Sequence, residues 1–180
     1  MPIPFRDLRS DGGSALAGYM RFVDEDAGRG IRAALFLVNA RGEPVDFTFT
    51  RADIPASFLW RTGEARRNAV AALSASLFSS CSVAPAVLLV RAEEVHPGVF
   101  AEDVLVEIPL GRVASAADVV HGAGDHSESL GESIDVYWIG SAPAAESVAR
   151  QLLDALGVRQ LLLEPFDRAA QGLTEAFTKA

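Results

Sequence analysis

His121, Asp125 and His126 stand within six residues of one another and include two of the three histidines in a chain of 180. Imidazole nitrogen and carboxylate oxygen are the donors of transition-metal sites that activate water, so the spacing raises the possibility of a hydrolytic metal centre. A second cluster is cationic. Arg61, Arg66 and Arg67 follow Phe58 and Trp60, and Thr62-Gly63-Glu64 reads as a helix start with Thr62 as its cap. Cations at the positive end of a helix dipole each cost about 0.3–1 kcal/mol. A bound anion, a phosphate or an acidic partner surface would offset that cost, and tryptophan and arginine are favoured interface anchors. Trp60, Arg61, Arg66 and Arg67 are therefore expected to form a partner- or anion-binding surface.

The run His121-Gly122-Ala123-Gly124-Asp125-His126 resembles the zinc-binding loop of metallo-β-lactamase-fold hydrolases, whose pattern is His-x-His-x-Asp-His. The resemblance covers about ten residues and implies ligand roles for His121, Asp125 and His126. Ala123 stands where that family has its middle histidine. The remaining histidine, His96, lies upstream, so the later ligands of the family have no counterpart. The expectation is an exposed polar loop without a tightly held metal and a protein without a cofactor, with a metal-dependent hydrolase using residues 121–128 as an alternative.

Other candidates carry less. Asp24-Glu25-Asp26-Ala27-Gly28 lacks the spaced acids and distal glutamate of a calcium loop and reads as an acidic hairpin tip. Glu102, Asp103 and Glu107 suggest a metal-dependent nuclease, but Ile108-Pro109 follows Glu107 where a spacer and a lysine are needed. Cys81, the sole cysteine, falls on an apolar helical stripe and reads as an inert core thiol. There is no Gly-x-Ser-x-Gly elbow, Walker loop or dinucleotide glycine pattern.

Sixteen basic against 24 acidic residues give a net charge of −8, which opposes non-specific binding to nucleic acid or anionic membranes. The length suits one globular domain, 1–180, with a polar loop at 115–133. One cysteine, no apolar leader in residues 1–18 and no apolar run near 20 residues long together suggest a soluble, cytoplasmic protein.

Alternating residues in 18–24, an apolar run at 31–39 and Val45, Phe47 and Phe49 set against Asp46, Thr48 and Thr50 predict an antiparallel meander, the three large side chains facing the core. A helix should run from Thr62 past Cys81 and stop before Pro85. Strands are expected at 86–90, at 104–110 with Pro109 marking an edge, and at 134–139. One further helix should open at Ser141-Ala142-Pro143 and end at Gly157, and another should open at Glu164-Pro165. This is the α+β class: a mixed, largely antiparallel sheet of about six strands with three main helices.

With no complete catalytic set in view, the sequence favours a non-catalytic accessory subunit working through protein association, with a protein partner or a second copy and no membrane. The other alternative is an accessory subunit of a nucleic-acid-processing complex that contacts phosphate through the arginines. Direct nucleic-acid contact ranks behind protein association.

Overall fold

A computed structural model describes residues 15–25, 29–54, 60–61, 63–118, 120 and 126–178. The expected meander is present as β1 (Ala17–Asp24), β2 (Gly30–Val38) and β3 (Pro44–Asp53), each antiparallel to the next. β2 is buried along nearly its whole length, as its continuous apolar run requires. β3 is the edge strand, and the edge changes the fate of its alternating face. Phe47 packs half-buried against Phe36, whereas Phe49 is 44% exposed and meets Phe177 edge-on. Val45 lies beyond a register shift opposite Leu37 and Val38 and joins the cluster on the other face.

Helix α1 (Glu64–Ser80) follows β3 and leads to β4 (Val87–Arg91), which is parallel to β1. Gly63 occupies the cap position with φ 86°, so a glycine backbone rather than a side chain starts the helix. Thr62, the expected cap, lies outside the described residues. A short π-helical turn, Val99–Asp103, comes next.

The strand expected at 104–110 begins only at its end, as β5 (Leu110–Ser115). Pro109 enters that strand instead of interrupting it. Its carbonyl accepts from the Leu88 amide, and β5 is central, between β4 and β7 (Ile134–Ile139). Among the described residues of the polar stretch before β7 is a short strand, β6 (Ser127–Ser129). The seven described strands run in the order β3-β2-β1-β4-β5-β7-β6, with four antiparallel and two parallel pairings.

Two helices close the chain. α2 (Val148–Val158) starts later than expected, capped by the Ser147 hydroxyl, which accepts from the Arg150 amide. It runs through Gly157, and the left-handed residue after it is Gln160, φ 58°. α3 (Glu164–Thr178) opens where Glu164-Pro165 indicates.

Each sheet face has its own core. Met20, Phe22, Leu35, Leu88 and Val90 pack with Val70, Leu73 and Leu77 of α1. Tyr19, Phe36, Val87, Leu89 and Trp138 pack with Leu152, Leu153 and Leu156 of α2 and Phe166 of α3. The class is α+β, as the alternating patterns imply.

Candidate functional site

β1, β4 and β5 all run in the same direction, so their carboxyl ends share one edge of the sheet. β3 runs that way too, being two antiparallel steps from β1, and the chain leaving it delivers the first turn of α1 to the same edge. A crevice outside the carboxyl ends of strands is where sheets of this kind commonly take ligands. A cleft of about 900 Å³ lies there.

Its polar wall comes from α1. Arg66 Nε donates to Asp24 Oδ1 at 3.1 Å across from the end of β1, and Nη1 donates to the Glu94 carbonyl at 2.6 Å. Arg67 reaches the π-helical turn instead, with Nε 2.6 Å from Asp103 Oδ2 and Nη2 2.6 Å from Glu102 Oε2. This fork holds the Asp103 carboxyl below its usual range and raises the Arg67 guanidinium. The floor is Arg112 in mid-β5. It is 3% exposed and donates through Nε to the Val95 carbonyl and through Nη2 to the Ala92 carbonyl. Burial lowers its affinity for a proton, yet a guanidinium remains charged. Arg91, at the end of β4, pairs with Glu93 at 2.7 Å.

Glu94 is the buried acid of the cleft. One oxygen accepts from the Phe22 amide at 2.9 Å and the other pairs with Arg21. Burial pushes its carboxyl up to about 7, against the opposing pull of the Phe22 amide and of Arg21. His96 also lines the cleft, its Nδ1 accepting from the Gly98 amide. The arrangement offers guanidinium forks, an imidazole and one carboxyl that titrates near neutrality.

The fit to a metal is poor. A two-metal hydrolytic site needs several oxygen or nitrogen donors converging on one point. Among the described residues no group of three or more His, Cys, Asp or Glu side chains is placed to hold an ion. Glu94, Asp24 and Glu93 are each already engaged by an arginine.

The residues singled out by sequence divide. Arg66 and Arg67 line the cleft, and the chain's own Asp24, Glu102 and Asp103 offset their charge at the helix start. Trp60 and Arg61 are exposed ahead of the helix and are absent from the lining. His121 and Asp125 lie outside the described residues. His126 is exposed, and its carbonyl accepts from the amide of Trp138, which pairs with Gly111 in the amino half of β5, away from the cleft. The Cys81 thiol donates to the Val83 carbonyl and is pushed up by burial. Glu94, Arg91 and Arg112 were not singled out. The available signals were a charged residue inside the apolar run Leu110–Ala114 and the Glu93-Glu94 pair closing the run Val87–Val90.

No protein-family model matches the chain, and no curated protein sequence does. Solved structures do resemble it in fold. The endonuclease V of Streptomyces avermitilis superposes with a TM-score of 0.61 at 14% identity, over 93% of this chain and 83% of that one. The endonuclease V of Bacillus subtilis gives 0.57 at 12% identity, over 92% and 81%. This likeness runs against the expectation of an accessory subunit acting by protein association, since both of these structures that share the fold are named as endonucleases. The expected protein partner finds no support. Among the described residues no helix is long and apolar enough to cross a membrane.

Proposed function

We propose that this chain is a nucleic-acid-processing hydrolase and that a phosphodiester backbone lies in the cleft at the carboxyl edge of β1, β4 and β5. The observation that carries the reading is one coincidence. The polar cleft sits at the ligand-binding edge of a sheet whose fold is shared with two proteins named as endonucleases. The net charge of −8 argues against binding by overall attraction, so affinity must come from local guanidinium contacts.

Hydrolysis of a phosphodiester needs positive groups for the phosphoryl oxygens and a group that can take or give a proton near neutral pH. Arg66, Arg91 and Arg112 are the cleft's candidates for the first role, and Glu94 for the second, because its burial holds the carboxyl near 7. The domain extent follows the same reading: the described residues act as one unit, with Asp118 and Val120 lining the cleft.

The test is fluorescence anisotropy with labelled single-stranded DNA, duplex DNA and RNA, in parallel with a gel assay for strand cleavage. Affinity should fall as salt rises, with log K losing about 0.9 per decade for each phosphate contacted on duplex DNA and about 0.7 on a single strand. No binding to any of the three at low salt would refute the reading.

A further inference from the structure

We propose that the cleft engages phosphate by exchanging guanidinium partners, without a divalent metal, and that Arg66 is the residue that makes the exchange. The inference rests on the nucleic-acid reading above and specifies its chemistry. Metal-assisted phosphoryl chemistry requires carboxylates left open toward the ion. Of the acids at these strand ends, Asp118 after β5 accepts from the Ser115 amide, and the three at the ends of β1 and β4 are already committed to cations: Asp24 to Arg66, Glu93 to Arg91, and Glu94 to Arg21 as well as to the Phe22 amide. A cation would have to detach a guanidinium from each of these three carboxylates before binding. A phosphodiester has the opposite requirement, since it needs only to replace one carboxylate on one arginine.

The geometry distinguishes the arginines. Arg67 is held by two acids at once, through Asp103 and Glu102, and by the Gly98 carbonyl, so releasing it breaks several charge-assisted contacts together. Arg112 is buried on backbone carbonyls. Arg66 has the weaker tie. Its carboxylate partner is Asp24, which is 51% exposed, at 3.1–3.3 Å, and exposed ion pairs contribute little to stability. Its further bond, to the Glu94 carbonyl, anchors the guanidinium over the cleft whatever occupies the Asp24 position. Asp24 thus holds the place of an anion. A phosphate oxygen arriving there would accept from Arg66 Nε as the carboxylate does, with arginine's fork geometry suited to both.

The experiment measures the affinity of a fluorescein-labelled single-stranded DNA for the full-length protein, in EDTA and in magnesium, for wild type, Asp24→Asn and Arg66→Gln. Circular dichroism first establishes that both variants are folded. The expected result is equal wild-type affinity in EDTA and magnesium, a gain for Asp24→Asn, and a loss of roughly tenfold for Arg66→Gln, the scale of one charge-assisted hydrogen bond. The salt slope of Arg66→Gln should also fall by about one phosphate contact. Removal of one charge of either sign would by itself shift attraction for a polyanion in these directions, so the informative readouts are the loss of one phosphate contact from the salt slope of Arg66→Gln and the indifference to magnesium. Binding seen only with magnesium, or Asp24→Asn weakening affinity as Arg66→Gln does, would overturn the exchange and leave the nucleic-acid reading standing. Absence of binding in every condition would overturn both.

Discussion

Replacing Glu94 by glutamine should change the stability of the protein in a manner that depends on pH in one direction only. The carboxyl is nine-tenths removed from solvent, with 11% of its side-chain surface exposed, and two favourable contacts compete with that burial. If burial dominates, the folded-state value is about 7 against an ordinary 4.5. At about 1.4 kcal/mol per pH unit, the fold resists the carboxylate by about 3 kcal/mol once the pH exceeds 7.

The sign follows from proton counting. Between 4.5 and 7 the native state holds a proton that the unfolded chain has released, so the stability this group contributes is full below 4.5 and is lost as pH rises through 7. Glutamine does not titrate. The stability of Glu94→Gln relative to wild type should therefore climb by about 3 kcal/mol from pH 4.5 to pH 8, while every contribution that does not titrate cancels in the slope. Urea denaturation of both proteins across that range measures it. A flat difference would show that burial and pairing are balanced. A difference falling with pH would show that the attraction of Arg21 outweighs desolvation, and the assignment of Glu94 as the neutral-pH proton group would be abandoned.

Gly111→Ala should destabilise by about 1–3 kcal/mol, because an added Cβ would come within 2.5 Å of Val136 Cγ1 between β5 and β7; a denaturation midpoint equal to wild type would disprove that close approach. Phe47→Ala should cost about 2 kcal/mol, below the range for a fully buried ring, and Phe49→Ala less, since Phe49 is more exposed; reversal of that order in thermal melts would place the wrong residue inward. Gly98→Ala should push Arg67 aside, its guanidinium lying 3.0 Å from the new Cβ, and the Asp103 carboxyl should then move up toward its ordinary range in an NMR titration. An unmoved Asp103 titration would show that the fork survives.

Residues 17–53 were legible because antiparallel neighbours in sequence are neighbours in space, and the alternation along β3 reports a sheet directly. The same alternation overstated the core. Phe49 sits at an edge strand, and periodicity gives the face of a residue without the depth of what covers it. Pro109 was misread for a related reason: proline is compatible with an edge or with the entry to a strand, and only the pairing of β5 on both sides distinguishes the two. The site was partly legible. Cations at a helix start are a local anomaly, and that anomaly pointed to Arg66 and Arg67, which do line the cleft. Glu94 could not be reached this way, because its partners Arg21 and Phe22 lie more than 70 residues away in sequence and meet it only through the parallel β1–β4 pair.

The parallel pairs also explain why an acidic chain can present a site for a polyanion. In the antiparallel part of the sheet successive strands end at opposite edges, and β2 closes at the far edge on the apolar Leu37 and Val38. At β1, β4 and β5 the carboxyl ends coincide, and Asp24, Arg91 and Glu94 are brought to one edge together with Arg66 and Arg67 of the crossover helix. The acids there serve the arginines. Each holds a guanidinium in a defined position in the absence of ligand, which spares the ordering of a long side chain on binding. The contribution of the fold to function is thus a set of preplaced cations whose partners differ in how readily they yield. Arg66 on exposed Asp24 yields most readily, and Arg67, doubly held, keeps the wall of the cleft in place.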